Sequence, residues 1–383
     1  MSMPRISKLR TLFLFIVSIS SMLVVSPAWA DWALNMTEGV TPISHEVYDL
    51  HMKVLWIVTV IGIIVFGAIF WSIMHHRKDK GVVPAKFHHS TALELLWTAI
   101  PIVILVMISI PATKTLIAME RTEDADITIK VTGYQWKWKY DYMGEDVSFF
   151  SSLDAESRAI ADNNSDNAPE DIENYLLDVD NAITLPVNKK IRILTTAADV
   201  IHAWWVPDLG WKRDAIPGFI NDNWTIIQEP GVYRGQCAEL CGKDHGFMPI
   251  VVNAVSEEEY KTWLADKKQM LADASAGADR EWTLDELMTK GEEVYGTNCA
   301  ACHQANGQGI PGAFPALAGG AIATGAVEGH MEIVMNGKAG TAMAAYGPQL
   351  SDVDLAAIIT YERNAWGNDT GDLVQPSAVK AAR

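Results

Sequence analysis

Two long apolar runs constrain the fold of this 383-residue chain more than any other feature of its sequence. The first covers about residues 54–74 and the second about residues 91–118, and each is long enough to cross about 30 Å of hydrocarbon as a helix. The residues after the first run, 75–80, are mostly histidine, lysine and arginine, which predicts a cytoplasmic loop. Everything after about residue 119 is therefore predicted to lie outside the cytoplasm.

The first 30 residues have the pattern of a secretory signal peptide. Basic residues between positions 5 and 10 precede a short apolar core, and Ala28 and Ala30 provide small side chains at the cleavage positions. An uncleaved first membrane helix is the alternative. Residues 31–119 are then predicted to form a two-helix transmembrane hairpin in contact with membrane lipid.

The formal net charge is -17 although 49% of the residues are hydrophobic, which indicates an acidic soluble part joined to the membrane part. The shortage of positive charge argues against nucleic-acid binding, which needs a basic surface. An acidic surface instead favours a small cationic protein as partner, because long-range attraction steers opposite charges together.

Residues 120–255 read as a β domain. From Ile127 the sequence ITIKVTGYQWKWKY alternates apolar and polar residues, and further short strand-like runs are separated by Gly, Pro, Asn and Asp. This pattern predicts an antiparallel sandwich or barrel. The acidic insert at 152–173 is predicted to be a solvated loop, with a docking surface as the alternative.

The chain after residue 255 is predicted to be helical, with capping boxes that begin at Ser256, Thr283 and Ser351. Residues 256–280 are interpreted as a helix followed by a small-residue linker at 272–279. Residues 281–383 are predicted to form an all-α domain of their own.

Within that domain, Cys299-Ala-Ala-Cys302-His303 is the pattern of covalent c-type haem attachment, with two thiols for thioether bonds and an imidazole for the iron. A disulfide is the alternative that an oxidising compartment would favour. Met331, Met335 and Met343 are candidates for the second axial ligand. Met343 is preferred, because it lies in a Gly/Ala-rich loop, whereas Met335 lies in an apolar helical run. A His/Met pair suits electron transfer rather than oxygen binding.

The segment CAELCGKDHGFM at 237–248 has the residue types of a copper site. Cys241, His245 and Met248, with His202 from elsewhere, would make a single blue-copper centre. Cys237 adds a second thiolate, and two thiolates this close can bridge two soft metal ions. A structural zinc site is a further alternative, but it gives the thioether of Met248 no purpose.

This segment, together with DVIHAWWVPDLGWKRDAIPG from residue 199, resembles cytochrome c oxidase subunit II. In that family two cysteines bridge the binuclear copper A centre. The resemblance implies a cupredoxin-like β domain and these copper ligands: the thiolates of Cys237 and Cys241, the imidazoles of His202 and His245, the thioether of Met248 and the backbone carbonyl of Glu239. It also implies that the Glu239 side chain reaches a magnesium ion shared with the catalytic subunit.

Two further positions match the family. Trp136, in YQWKWKY, corresponds to the residue through which electrons enter from cytochrome c, although a core tryptophan on a strand is the alternative. Glu94, at the start of the second apolar run, matches a carboxylate at the mouth of a proton pathway. A side chain that simply faces lipid headgroups is the alternative for Glu94.

The helical tail resembles a class I cytochrome c, so the whole chain resembles the fused form of subunit II. This implies an electron-input subunit in the bacterial inner membrane, with its copper and haem domains in the periplasm and no oxygen-reducing site of its own. Its partners would be subunit I, other oxidase subunits and a soluble or membrane-bound cytochrome c or similar donor. A membrane-anchored carrier for another respiratory reductase is the alternative.

Overall fold

The structure, a computed structural model, describes residues 35–83, 86, 88–162 and 165–383, with only the backbone at 274–276. The predicted signal peptide lies outside these residues. Two helices, α1 (Pro42–His75) and α2 (Thr91–Met119), are long and apolar enough to span a membrane. Helix α1 begins well before the apolar run because Thr41 and Ser44 cap its first turn reciprocally.

The outer ends of both membrane helices are joined to the β domain. Before α1, the Val40 amide donates to the carbonyl oxygen of Asp208 over 2.9 Å. At the end of α2, the Trp224 indole donates to the carbonyl oxygen of Ala118 over 3.0 Å. The helices therefore form a hairpin, and its connecting loop lies at the end away from the β domain. Glu94 is exposed in the first turn of α2, next to that loop.

The β domain consists of two five-stranded sheets, with the strand orders β3-β2-β1-β5-β8 and β4-β10-β9-β6-β7. The strands are β1 (Ile127–Tyr134), β2 (Lys137–Tyr142), β3 (Val147–Ser151), β4 (Ile183–Pro186), β5 (Ile191–Ala197), β6 (His202–Val206), β7 (Trp211–Ala215), β8 (Asn221–Thr225), β9 (Gly231–Cys237) and β10 (Pro249–Val255). Most pairs are antiparallel, but β1–β5 and β4–β10 are parallel. The sandwich is therefore mixed rather than purely antiparallel, because long connections return these strands in the same direction.

Alternation along the strands builds the core of this sandwich. In β5, for example, Ile191 and Ile193 are fully buried while Arg192 between them is partly exposed. The buried side chains of both sheets form one hydrophobic cluster, and that cluster contains Cys237, Cys241 and Met248. The predicted copper ligands are thus part of the domain core.

The insert at 152–173 is only in part the solvated loop that its composition predicted: most of residues 165–173 are exposed, but the first part is folded against the domain. It contains helix α3 (Ala155–Ala161), whose first turn is capped by Asp154, and Ser157 and Ile160 are buried. The composition is misleading because a short helix needs only one or two apolar contacts to hold it against a larger domain.

The predicted linker at 272–279 is also wrong. Helix α4 (Glu257–Ala276) runs through most of it and a 3-10 turn follows, in which Ala278 is buried. The reason is that alanine, abundant in this stretch, has the highest helix propensity. Trp263 of α4 packs against the core of the β domain, so the connection is a docked helix.

The C-terminal region contains α5 (Leu284–Asn298), α6 (Ala300–His303), α7 (Val327–Asn336), α8 (Asp352–Asn364) and α9 (Pro376–Ala382). The predicted capping box of Thr283 and Glu286 is present at α5. Helices α5 and α8 approach closely at Gly291, where a Cβ atom would lie 2.3 Å from the carbonyl oxygen of Ala357. Beside this crossing, Ala300 of α6 belongs to the same hydrophobic cluster as Ile358 of α8.

Candidate metal and haem centres

The strands β6 and β9 bring the first two predicted copper ligands together. His202 begins β6, Cys237 ends β9, and the two strands pair antiparallel so that Trp204 lies opposite Cys237. The Cys237 Sγ is 4.0 Å from the His202 Nδ1. Gly133 allows this position of the imidazole, because a Cβ there would lie 2.7 Å from the His202 Cδ2.

The loop after β9 supplies the other donors. The Cys241 Sγ lies 3.8 Å from the Cys237 Sγ, 3.5 Å from the His245 Nδ1 and 3.5 Å from the Met248 Sδ. The Glu239 carbonyl oxygen lies 3.3 Å from the Cys237 Sγ. All six predicted donors therefore meet, with two sulphurs in the centre and a different histidine beside each sulphur.

Most of the donors are buried, while His245 is half-buried. His202 and both cysteines are buried, and their ligand atoms lie within 4.8 Å of one another. A disulfide is not formed, because the sulphurs are 3.8 Å apart whereas a bond requires about 2 Å. Two thiolates, two imidazoles and a thioether are soft donors, which fit copper, and the Met248 Sδ is in reach, which a structural zinc site would not use.

The titratable groups of the site shift one another's pKa values. Burial lowers the pKa of His202, but hydrogen bonds to Asp199 and Cys237 outweigh burial and raise it overall. A hydrogen bond from the Cys241 thiol lowers the pKa of Cys237, and the same contact raises the pKa of Cys241. Cys237 is thus the more acidic thiol of the pair, and a bound metal cation would favour the thiolate form of both.

Asp199 was missed by the sequence analysis. Its carboxylate lies 3.0 Å from the His202 Nε2 and also accepts the backbone N–H of Gln135 over 2.7 Å. A carboxylate that accepts from Nε2 leaves the Nδ1 lone pair directed at Cys237, as metal-binding histidines require. The spacing Asp199–His202 within DVIH was the available signal.

Helix α3 contacts the copper loop (residues 238–248, between β9 and β10) from outside. The Arg158 guanidinium lies 3.1 Å from the Asp244 carboxylate and 5.2 Å from the centre of the Phe247 ring. Both partners flank His245 in the sequence. The acidic insert therefore stabilises the part of the loop that carries a predicted ligand.

Trp136 lies against the same loop. Its indole N–H donates to the Cys241 carbonyl oxygen over 3.1 Å, and the Gln135 side chain donates to the same oxygen over 2.9 Å. Trp136 is half-buried, with its ring packed against the core of the β domain. The contact joins this residue to a predicted copper ligand, while its part in electron transfer remains a prediction.

The predicted haem residues line one cavity of about 400 Å³ in the helical domain. Cys299, Cys302, His303 and Met343 all contribute to its wall. The His303 Nδ1 donates to the Pro315 carbonyl oxygen over 2.9 Å, since a carbonyl can only accept, and Nε2 is left free to bind a metal. This arrangement fits a covalently attached haem.

The three candidate methionines differ in their position relative to this cavity. Met335 is buried in a hydrophobic cluster with Val334 and Leu355, Met331 packs against that cluster, and neither lines the cavity. The sequence analysis missed a buried pair on the cavity wall, in which the His330 Nε2 lies 2.7 Å from the Glu362 carboxylate.

Three family sequence models match successive parts of the chain. Residues 29–115 match "Cytochrome C oxidase subunit II, transmembrane domain", and residues 127–255 match "Cytochrome C oxidase subunit II, periplasmic domain". Residues 286–361 match "Cytochrome C oxidase, cbb3-type, subunit III".

Similar curated proteins carry related names. A probable cytochrome c oxidase subunit 2 of Rickettsia prowazekii is 41% identical over 259 residues, which cover 68% of this chain and 79% of the relative. The chain belongs to the cytochrome c oxidase subunit II family. Cytochrome c oxidase subunit 2 of Arabidopsis thaliana is 38% identical over 240 residues, covering 62% of this subunit II and 90% of the plant protein.

One solved structure is similar over the soluble part. It is the periplasmic domain of subunit II of cytochrome oxidase of Bradyrhizobium japonicum, 41% identical, with a TM-score of 0.34, covering 39% of this chain and 98% of that one.

The family confirms the predicted fold class of a two-helix membrane hairpin, a cupredoxin-like β-sandwich and a helical cytochrome c domain. It also confirms the predicted function, an electron-input subunit of a haem-copper oxidase, over a carrier for another reductase. The matches imply copper A, haem c and other oxidase subunits as partners of this membrane-anchored subunit II, whose β domain is periplasmic.

Proposed function

We propose that the six donors described above hold binuclear copper A, with Cys237 and Cys241 as bridging thiolates. The observation that carries this assignment is the arrangement of the sulphurs, 3.8 Å apart, each near the Nδ1 of a different histidine. A single metal ion would leave one Cys–His couple without a role. When bound, the copper pair supplies one-electron redox chemistry, and the chain buries the pair and holds its donors in fixed positions.

We further propose that Cys299 and Cys302 attach haem c and that His303 and Met343 are its axial ligands. The Pro315 carbonyl fixes the ring of His303, and Met343 reaches the same cavity from a distant loop. With His303 and Met343 both holding the iron, a bound haem would supply one-electron transfer and would offer oxygen no open position. The proposed domains are 1–30 for the signal, 31–119 for the membrane hairpin, 120–255 for copper, 256–280 for the connecting helix and 281–383 for haem.

The membrane is proposed to be a bacterial inner membrane, which α1 and α2 span with both soluble domains in the periplasm. Leu240, between the two bridging cysteines, is 77% exposed, and Ile201 beside His202 is 45% exposed. Apolar side chains in such positions fit a contact with subunit I.

The Glu239 side chain is exposed in the same loop and is free to reach a shared magnesium ion. Glu94, at the cytoplasmic end of α2, is the proposed start of a proton path into the complex.

The electron donor is proposed to be a small basic protein such as a soluble or membrane-bound cytochrome c, attracted by the acidic surface. Electrons would pass to haem c, then to copper A and then to subunit I, where oxygen is reduced and protons are pumped. Trp136 is the proposed point through which electrons reach the copper loop.

The test is the metal content and absorption spectrum of the full chain in detergent, produced in cells that attach haem c. Two coppers and one iron per chain, with a near-infrared band that disappears on reduction, are expected. Cys237→Ala should remove this band and keep the haem, and Cys299→Ala with Cys302→Ala should do the reverse. One copper per chain would instead indicate a single blue-copper site, and haem without copper would contradict the copper assignment.

A further inference from the structure

The segment that carries the haem-attaching cysteines lies directly on the β domain. Two lysines of the β domain reach it, Lys137 from the start of β2 and Lys243 from the copper loop. Both donate to neutral oxygens of the helical domain. Neither lysine is among the proposed copper or haem ligands.

Lys137 is held between the two domains. It follows Trp136 in the sequence, is 6% exposed, and its Nζ donates to the Asn298 Oδ1 over 2.6 Å. The ammonium also lies 4.7 Å from the centre of the Phe150 ring in the β domain and 5.4 Å from that of Tyr346 in the helical domain. Burial lowers the pKa of Lys137 to about 8. Asn298 ends α5, where the helix dipole favours a cation.

Lys243 makes the second contact. It lies two residues after Cys241, and its Nζ donates to the Ala301 carbonyl oxygen over 2.5 Å. A shallow pocket beside it is lined by Asp162 near α3 and by Ala300, Ala301, Gln304, Ala305 and Asn306. The copper loop and the haem-attaching segment therefore meet at Lys243 and Ala301.

The two contacts complete two short paths of covalent and hydrogen bonds between the proposed haem and copper sites. Each path crosses the interface between the domains by one hydrogen bond. One runs from Cys299 through Asn298 and Lys137 to Trp136, whose indole donates to the Cys241 carbonyl. The other runs from Cys302 through Ala301 to Lys243 and along the backbone to Cys241. Both begin beside a haem-attaching cysteine, and both end at Cys241.

We propose that Lys137 and Lys243 clamp the haem-attaching segment onto the copper loop, so that the tethered domain occupies the side of the loop that carries Trp136. This inference rests on the proposed copper and haem assignments. An external donor then reduces the haem and does not approach Trp136. With both groups bound, one electron would pass from the reduced haem iron to the oxidised copper pair, without transfer of a proton or a change of covalent bonds, while Lys137 and Lys243 would hold the two sites together.

The experiment compares the full chain with Lys137→Met/Lys243→Met, in samples that contain full copper and haem. A photoexcited ruthenium complex delivers one electron to the haem, and the haem absorbance and the near-infrared copper band follow its transfer. Hydrogen exchange of residues 298–306 reports docking. Lys139→Met is the matched control, because Lys139 lies on the same strand but pairs with Asp141.

The double variant should transfer electrons about tenfold more slowly or worse, since each lost charged hydrogen bond is worth roughly that factor in the docking equilibrium. Exchange at 298–306 should increase in parallel, and Lys139→Met should match the wild type. An unchanged rate, unchanged exchange or equal slowing in Lys139→Met would overturn the clamp. If the double variant lost copper, the single variant Lys243→Met, at an exposed position, would test the proposal by the same rate and exchange measurements. Failure of the metal assignments would be visible earlier, as missing copper or haem in the unmutated chain.

Discussion

The copper and haem regions prepare their sites in different ways. The proposed copper ligands Cys237, Cys241 and Met248 are members of the main hydrophobic cluster of the β domain, together with side chains from both sheets. The helical domain instead has two smaller clusters, one around Tyr295 and one around Leu355, and its predicted ligands line a cavity.

This difference indicates how far the stability of each domain depends on its cofactor. The buried side chains of both sheets form one continuous core, so we expect copper to bind to a structure that is already set. In the helical domain the macrocycle would pack against the cavity wall and against residues such as Ile358 and Leu317. We therefore expect haem to contribute to folding and copper to contribute mainly to redox chemistry.

The largest effect is expected from Cys299→Ala/Cys302→Ala. Without covalent haem, the helical domain should lose its cooperative unfolding transition, while the copper band and the unfolding of the β domain persist. Differential scanning calorimetry with absorption spectra measures both. The matched variant, Cys237→Ala/Cys241→Ala, should lose copper and keep both transitions. A helical domain that melts normally without haem would show that its two clusters suffice.

Met343→Ala and Met335→Ala should show which methionine is an axial ligand of the haem and which is a residue of the hydrophobic core. Met343→Ala is expected to lower the haem potential and remove the low-spin His/Met spectrum, because the thioether raises the potential. Met335→Ala should leave both unchanged and destabilise the domain by about 2–5 kcal/mol, as for buried methionines in general. Redox titration and thermal unfolding distinguish them, and the reverse pattern would make Met335 the ligand.

Gly133→Ala tests how tightly the sheets set the copper site. The added methyl group would lie 2.7 Å from the His202 ring, so the imidazole must move away from Cys237. We expect reduced copper content and a loss of roughly 1–3 kcal/mol of stability from overpacking. Gly246→Ala in the copper loop is the control, since its added Cβ would meet nothing within 4 Å. Equal copper loading in both variants would contradict the proposed role of Gly133.

The smallest of these effects is expected from Asp199→Ala. This change removes the acceptor for the His202 Nε2, so the imidazole is less firmly oriented and copper should be lost to a chelator about tenfold faster. Glu239→Gln should leave copper unaffected, because only the backbone of Glu239 approaches Cys237. Loss of copper from Glu239→Gln at the Asp199→Ala rate would show that its side chain also supports the site.

Most of the predicted site residues could be found from the sequence because their spacing is local. Cys237, Cys241, His245 and Met248 fall within one short loop, and Cys299, Cys302 and His303 within one helical turn. His202 lies outside these motifs, and it was proposed from its place in DVIHAWW and then supported by the family resemblance. Asp199, Arg158 and the His330–Glu362 pair were missed, since nothing in the neighbouring residues indicates what these side chains contact.

The sequence by itself determined the membrane helices, the order of the domains and the residue types at both metal centres, because apolar length, strand alternation and short motifs are properties of neighbouring residues. Only the tertiary structure decided that the insert at 152–173 braces the copper loop and that the segment after 272 is a docked helix. It alone brought Lys137 and Lys243 to the haem-attaching segment. These contacts join residues from distant parts of the chain, and they depend on how the sheets and helices pack.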